Sequence, residues 1–276
     1  AMVFAQEISM GSMKVRQPVP SAEIDYLDPF VLLHHAQHYF GEDLNLSDEG
    51  VGPHPHRGFA PVTFMYKGGI HHRDSRGNSQ TVGAGGTQWM HAGMGIVHSE
   101  RPTEPEQELI QMWINTPAQH KMDQPYYHPL SKEETPFYIS EDGKITLNVI
   151  AGELSGIKGP IPTFTAINAA TVYTQKGGKL FIPLPASHNC FLYLLDGKMM
   201  INEEAEARQY YFTVFNNDSD GITIEALEDT RAFLMSGEPI GEKITAQGPF
   251  VMNNETQIME AYRDYRMGKM GVLIEE

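Results

Sequence analysis

Short apolar segments recur along the whole chain, and turn-forming residues separate them. Apolar and polar residues alternate in segments 145–151 and 223–227, which is the period of a strand with one buried face. Turns rich in Asp, Asn and Gly are indicated at 74–79, 141–144 and 216–221. Long stretches with helical periodicity are rare. The pattern therefore predicts an all-β protein of the sandwich or barrel type. Further strand-like segments are 61–66, 108–115, 179–184 and 191–202.

One segment near the C-terminus has helical periodicity instead. The asparagines at 253–254 can cap its start and Gly268 can end it. Its apolar face is predicted to pack on a barrel wall. The apolar positions of this face are Ile258, Ala261, Tyr262 and Tyr265.

The length of 276 residues predicts about two domains, at roughly 150 residues each. The polar, proline-broken segment 117–136 is interpreted as the connection between them, with a short helical turn at 131–134. The first domain is predicted to comprise residues 1–133, and the second residues 134–276, ending in the helix.

The composition narrows the classes of partner. Thirty-five acidic residues against twenty basic ones give a net charge of −15, which would repel a phosphate backbone, so no direct nucleic-acid binding is expected. No apolar run approaches the ~20 residues of a membrane-spanning helix, and no secretory signal is indicated. We expect a cytoplasmic protein without a membrane partner, or a nuclear one if the chain is eukaryotic. The single cysteine, Cys190, is predicted to be buried and unpaired.

Two pairs of metal-binding residue types share a one-residue spacing. His54 and His56 flank Pro55, and the spacing recurs in His98 and Glu100. Residues i and i+2 of a strand point to the same face, so each pair would project together. Proline is confined to sheet edges or strand starts, which places the first pair at such a position. Three imidazoles and one carboxylate suit Fe, Ni, Cu, Mn or Zn and leave coordination positions open.

The alternative interpretation is that these pairs are solvated on edge strands, since one His-x-His pair is a weak motif. The glycine-rich segment 83–95 favours a metal site, because close backbone approach is typical of a small barrel. Spacing alone leaves both interpretations open. A bound metal would need buried polar neighbours that fix the second nitrogen of each imidazole, and Gln88 and His91 are the candidates.

The remaining histidines are predicted to be less central. Within segment 34–38, His35 is expected to come nearest the pocket mouth, and Met90 is expected in the core or on the pocket wall. His71 and His72 precede a turn and are predicted to be exposed. His188 is the one histidine after residue 133, so we expect no comparable metal site in the second domain.

Several segments together resemble the signature of the pirin family. The match covers most of the chain and is densest in the first half, where HPHRGF and TQWMHAGMGIVHSE are highly specific motifs. Two departures concern the first domain: Ala60 and Pro61 stand where the family usually has Glu-Thr, and His34 replaces a usual acidic residue. The matching segments are 28–30, 54–59, 74–77, 87–100, 109–115 and 249–271.

The resemblance implies two tandem cupin-type antiparallel β-barrels (a bicupin) with a short C-terminal helix and a metal in the first barrel alone. The family's ligands correspond to His54, His56, His98 and Glu100. One iron ion, as Fe²⁺, is expected, with Ni, Cu, Mn or Zn as alternatives. Several members oxidise flavonols such as quercetin with O2, and eukaryotic members are redox-sensitive cofactors of nuclear transcription complexes.

Two functional hypotheses follow. The first is a quercetin 2,3-dioxygenase-type oxidoreductase that takes a flavonol and O2, uses Glu100 to accept the substrate proton, and releases CO. The second is a non-enzymatic protein whose metal state controls docking of a partner protein, as a transcription cofactor or metabolic regulator. A structural barrel with an incidental metal is less consistent, because structural zinc sites are usually closed by Cys-rich sets.

Overall fold

Antiparallel β-strands dominate the computed structural model, which describes all residues from Ala1 to Glu276 and confirms the all-β prediction. The strands of the first half are β1 (Met2–Phe4), β2 (Gln6–Met10), β3 (Met13–Val19), β4 (Phe30–Tyr39), β5 (Val51–His56), β6 (Phe59–Lys67), β7 (Ile70–Asp74), β8 (Ser79–Val82), β9 (Thr87–His91), β10 (Ile96–Pro102), β11 (Glu106–Asn115), β12 (Tyr126–Leu130) and β13 (Phe137–Ile139). Short 3-10 turns cover Leu46–Asp48 and Ala118–His120.

The second half continues the same strand-and-turn organisation and ends in one helix. Its strands are β14 (Ile145–Ala151), β15 (Glu153–Leu154), β16 (Ile157–Lys158), β17 (Ile167–Thr174), β18 (Lys179–Pro183), β19 (Asn189–Leu194), β20 (Lys198–Ile201), β21 (Ala205–Arg208), β22 (Tyr211–Val214), β23 (Gly221–Ala226), β24 (Thr230–Gly237), β25 (Thr245–Gln247) and β26 (Phe250–Met252). The helix is α1 (Glu255–Arg266), and no helix in the chain is long and apolar enough to cross a membrane.

The chain forms two compact units, and each is assembled from three separate segments. The first barrel unit consists of Ser9–Val15, Phe30–Lys132 and Ile240–Glu276. The second barrel unit consists of Ala1–Ile8, Arg16–Pro29 and Glu133–Pro239. A single boundary at 133/134 stays a prediction. In the structure, residues 1–8 and 16–29 belong to the second barrel unit, and residues 240–276 belong to the first. In particular, the C-terminal helix belongs to the first barrel unit.

Both units are built from a seven-stranded and a four-stranded antiparallel sheet. In the first barrel unit the orders are β12-β9-β6-β11-β4-β3-β2 and β5-β10-β7-β8. In the second they are β1-β22-β19-β24-β17-β14-β13 and β18-β23-β20-β21. Period-2 alternation places one face of each strand in the interior, which in the second barrel is lined by Ile, Leu and Val side chains.

The segment interpreted as a domain connection is part of the first barrel unit. Its residues Tyr126–Leu130 form β12, which pairs with β9 at the edge of the seven-stranded sheet. Residues 132–134 form a hydrogen-bonded turn, at the place where a short helical turn was predicted. The prolines made the segment look irregular, but an edge strand tolerates a missing N–H donor, so proline there doesn't prevent pairing.

Helix α1 begins after Asn254, whose side chain accepts a hydrogen bond from a backbone N–H of the first turn. Ile258 and Ala261 are buried against Phe250, which confirms the predicted packing of an apolar face. The apolar face is narrower than predicted, because Tyr265 is 38% exposed.

A buried lysine ties the C-terminal segment of the first barrel unit to its sheets. The Nζ atom of Lys121 donates to the carbonyl oxygens of Gly58 and Val251, at 2.7 and 2.9 Å, and to Asn115 Oδ1 at 2.6 Å. Lys121 is 2% exposed, so water cannot replace these three bonds.

Replacing this lysine should therefore destabilise the protein. We expect Lys121→Met to lower the free energy of unfolding by about 3 kcal/mol, because buried acceptors lose their donor. Chemical denaturation followed by circular dichroism measures the change. Lys132→Met, at an exposed lysine of the same unit, is the matched control and should stay within about 0.5 kcal/mol. Equal stabilities of the two variants would contradict the assigned role.

Candidate metal centre

Three histidines converge because β5 and β10 pair in an antiparallel register. His54 lies directly opposite His98, and His56 follows on the same face of β5. The ring centroids are 4.4 Å apart for His54 and His98, and 5.1 Å apart for His56 and His98. One nitrogen of each ring lies within 4.8 Å of the others. Strand β5 is an edge strand, as Pro55 predicts.

Backbone carbonyls fix the orientation of the first two imidazoles. His54 Nδ1 donates to the carbonyl of Gly52 at 2.7 Å, and His56 Nδ1 donates to the carbonyl of Pro249 at 3.1 Å. A carbonyl oxygen can only accept, so both Nδ1 atoms carry the proton. The Nε2 atoms are left with free lone pairs. Burial and the neighbouring His54 lower the pKa of His56 to about 3, which keeps its ring neutral.

The third imidazole is oriented by a hydrogen-bond chain that ends at a carboxylate. His72 Nε2 donates to Asp74 Oδ2 at 2.6 Å, and His98 Nδ1 lies 3.4 Å from His72 Nδ1. Because Asp74 accepts at one end, His72 Nδ1 is an acceptor and His98 Nδ1 is the donor. His98 Nε2 is thereby unprotonated, and it is buried without a hydrogen-bond partner. Burial, with the nearby imidazoles, holds the pKa of His98 well below its ordinary value.

Asp74 is well placed to be the charged end of this chain. Burial alone would raise its pKa, but hydrogen bonds from His72, Asn78 and the backbone of Arg76 together hold the pKa below its ordinary value.

His72 was predicted to be exposed, and this prediction was wrong, because His72 is fully buried. The strand pleat explains the difference: His72 faces the interior, while His71 points to the other side and bonds Thr81.

The donor set fits a metal ion. Three imidazoles each bring one ring nitrogen to within 4.8 Å of the others, and His98 Nε2 is buried without a hydrogen-bond partner. A buried acceptor without a donor is costly, and a cation that accepts lone pairs would relieve that cost. Imidazole nitrogen suits several transition metals, so the geometry supports a metal and leaves its identity open.

Glu100 lies beside this cluster, although the group of three close donor atoms does not include it. Its carboxylate accepts from Gln88 Nε2 at 2.9 Å and from Gln111 Nε2 at 3.1 Å. Both amides have a fixed orientation, because Tyr127 Oη donates to Gln88 Oε1 and Trp113 Nε1 donates to Gln111 Oε1. The carboxylate is therefore held by two oriented amide donors.

The register of the seven-stranded sheet brings these amides together. Gln111 pairs with Thr63, and Thr63 pairs with Gln88, so the three side chains form one row on the interior face. Tyr127 also stacks on His72, with centroids 3.8 Å apart and an interplanar angle of 2°. Tyr127 therefore contacts His72, which orients His98, and Gln88, which holds the carboxylate of Glu100. Sequence reasoning missed Tyr127 because the segment was interpreted as a linker.

A cavity of about 220 Å³ opens beside the cluster. Its wall contains His54, His56 and Glu100, together with Trp113 and otherwise mostly apolar side chains. The further lining residues are Met10, Met13, Val15, His34, Ala36, Gly50, Val51, Ile70, Gln107, Leu109 and Gln111.

The strand pleat corrects two expectations about this wall. His34 lines the cavity, whereas His35 points the other way and bonds Glu108 at 2.9 Å. Burial lowers the pKa of His34 to about 4, so this wall residue is neutral. Likewise Gln88 faces the interior, but His91 lies on the opposite face of β9 and its ring contacts Tyr126.

Two other predicted positions contribute to packing. Met90 is buried in a small apolar cluster with Ile96 and does not line the cavity. Pro61 lies within β6 opposite Trp113, and the strand continues past it. The missing N–H is tolerated because β9 pairs with Val62 through Phe64 and leaves Pro61 beyond that ladder.

The chain from Asp74 to His98 can be tested through metal affinity. His72→Phe keeps a ring against Tyr127 but removes the acceptor for His98 Nδ1. We expect affinity for Co²⁺ to fall about 10- to 100-fold, measured by optical titration against a competing chelator. His71→Phe is the matched control, since its side chain faces away, and it should bind Co²⁺ like the unaltered protein. Equal affinities of both variants would contradict the assignment.

Comparisons with known proteins cover both barrels. The pirin family profile matches residues 12–114, and the profile of the pirin C-terminal cupin domain matches residues 169–271. Pirin-like protein 2 of Arabidopsis thaliana is 35% identical over 93% of this chain and 80% of its own length. Human pirin is 34% identical over 98% of this chain and 92% of its own length.

A solved structure resembles the whole chain. The crystal structure of a quercetin 2,3-dioxygenase from Acinetobacter baumannii superposes with a TM-score of 0.92 at 30% identity, and the match covers 99% of this chain and 98% of that one. The likeness confirms the expected pair of cupin barrels. Since family profiles match both barrels and relatives align over nearly the full length, the chain belongs to the pirin family.

Proposed function

We propose that this protein is a metal-dependent dioxygenase that opens the central ring of a flavonol such as quercetin with O2 and releases CO. The observation that carries the proposal is the shared wall: His54, His56 and the carboxylate of Glu100 border one largely apolar cavity. The similarity to a protein described as quercetin 2,3-dioxygenase supports the same reaction class.

In this proposal His54, His56 and His98 hold one iron ion through Nε2, and Glu100 completes the ligand set or stands beside it. Bound iron would supply a one-electron path between the substrate enolate and O2. The fixed Nδ1 partners orient each imidazole before the ion arrives, so little side-chain ordering is needed on binding. The ligand set also suits Ni, Cu, Mn or Zn.

Glu100 is the proposed proton acceptor for the 3-hydroxyl of the flavonol. Its carboxylate borders the cavity and is fixed by the amides of Gln88 and Gln111. The two amides hold the carboxylate in one geometry, and positioning is a large part of general-base catalysis. The proton returns when the carboxylic acid of the ring-opened product forms.

The cavity wall suits a flat aromatic substrate. Trp113 provides an aromatic surface, and Leu109, Ile70 and Val15 add apolar contacts. His34 is neutral because burial lowers its pKa to about 4, so it adds no positive charge to the wall.

Turnover of quercetin should depend on both O2 and Glu100. We expect iron-loaded protein to consume quercetin in air with release of CO, and to leave it unchanged under anaerobic conditions. Glu100→Gln should lower kcat about 100-fold or more, because the proton acceptor is lost. Absorbance of the flavonol and gas analysis of CO measure the two quantities.

The control for this experiment is Glu104→Gln, at an exposed glutamate of the same unit, which should keep full activity. Metal content is determined for every variant, so loss of the ion is distinguished from loss of the base. An unchanged aerobic rate in metal-replete Glu100→Gln would contradict the proposed role of this residue. No flavonol loss in any iron-loaded sample would instead favour the alternative, a metal-responsive protein that docks a partner protein.

A further inference from the structure

The interior of the second barrel differs from that of the first at the corresponding strand pair. Strands β18 and β23 pair with Ile182 opposite Ile222, where the first barrel pairs His54 with His98. Both isoleucines are buried in the apolar core. The second barrel is nevertheless polar at one end, and this polarity has no role in the metal centre.

Strand register places several polar residues on the interior face of this end. Ser236 of β24 lies opposite Asn168 on one side and Cys190 on the other. Thr213 of β22 lies opposite Leu192, which belongs to the apolar core. Directly paired residues share a face, so all of these side chains point into the barrel.

A cavity of about 510 Å³ occupies this region. His188, Cys190 and Thr213 line it, and Phe181 and Phe215 add aromatic surface. This volume lies within the range of small-molecule sites in proteins.

A directional hydrogen-bond chain fixes what His188 offers to the cavity. The backbone N–H of Glu153 donates to Asn168 Oδ1 at 2.9 Å, which sets the amide orientation. Asn168 Nδ2 then donates to Ser236 Oγ at 3.0 Å, and Ser236 Oγ lies 3.0 Å from His188 Nδ1. Ser236 is fully buried, and His188 Nδ1 is the one acceptor beside its hydroxyl, because Asn168 Nδ2 can only donate. We therefore assign the Ser236 proton to the bond with His188 Nδ1, which leaves the imidazole proton on Nε2.

Thr213 provides an independent sign of a ligand. Thr213 is 7% exposed. Its hydroxyl oxygen is buried and has no hydrogen-bond partner. An unpaired buried hydroxyl is costly, and native structures retain few of them. A ligand oxygen in the cavity would satisfy this hydroxyl.

Charge narrows the class of ligand. Glu204, Asp218 and Asp220 belong to the cavity wall, which contains neither lysine nor arginine. Three carboxylates without a compensating cation disfavour an anion. Burial lowers the pKa of His188 despite the nearby Glu238, so the imidazole adds no positive charge. An ammonium group is also poorly matched, because His188 presents an N–H rather than a lone pair.

We propose that the second barrel contains a small-molecule site that binds an uncharged organic ligand through a carbonyl-type oxygen, held by His188 Nε2–H and the hydroxyl of Thr213. Amides and ketones attached to a small aromatic group fit this description. The site is separate from the proposed metal chemistry, and its residues belong entirely to the second barrel unit.

Three probes of similar shape test the charge and acceptor requirement: benzamide, benzoate and benzylamine. Binding is measured on the full-length protein by NMR titration. We expect benzamide to bind at millimolar concentration, with shifts at Thr213 and its neighbours, and the two charged probes to bind at least tenfold more weakly. Thr213→Val should weaken benzamide about fivefold, the size expected for one hydrogen bond.

The control variant is Thr146→Val, at a partly exposed threonine of the same barrel outside the cavity, and it should leave benzamide affinity unchanged. Proton–nitrogen NMR of histidine-labelled protein should place the His188 proton on Nε2. Benzoate or benzylamine binding as tightly as benzamide, equal affinity in Thr213→Val and Thr146→Val, or a His188 proton on Nδ1 would each overturn the proposal. Metal content is kept equal in all samples, so failure here leaves the dioxygenase proposal untouched.

Discussion

The antiparallel pairing of β5 with β10 is the constraint on which the candidate metal centre depends. It places His54 opposite His98 and brings His56 to the same face. A slip by one residue would turn either strand's ligands to the other side of the sheet. The register is irregular between His98 and Glu100, where Glu100 pairs with Val51. This irregularity accompanies a carboxylate that lies beside the three imidazoles rather than among them.

Much of the centre could be predicted from the sequence because the signal is local. The i, i+2 spacing fixes a shared face for His54 and His56, and Pro55 marks the strand as an edge. The helix start at Asn254 was equally predictable from capping chemistry. Each of these features depends on residues within one element, so no tertiary information is needed.

The residues that orient the three imidazoles and Glu100 could not be predicted, because their positions depend on pairing between distant segments. His72 was assigned to the surface from its nearby turn, but its pairing opposite Glu100 in β10 buries it. Tyr127 lies in a segment whose prolines suggested a linker. Segment 34–38 was not predicted as part of a strand, but β4 continues through it to Tyr39. The phase of the pleat decides which of His34 and His35 faces the cavity, and the sequence alone left that phase open.

Both barrels place a neutral imidazole in a buried polar cluster, and the far end of the hydrogen-bond chain decides what that imidazole presents. In the first barrel the chain ends at Asp74, an acceptor, so His98 presents a lone pair. In the second barrel the chain begins at the backbone N–H of Glu153, a donor, so His188 presents an N–H. A lone pair suits a cation, whereas an N–H suits an oxygen acceptor. If both proposals hold, similar scaffolds have opposite binding preferences because the hydrogen-bond chains end in different groups.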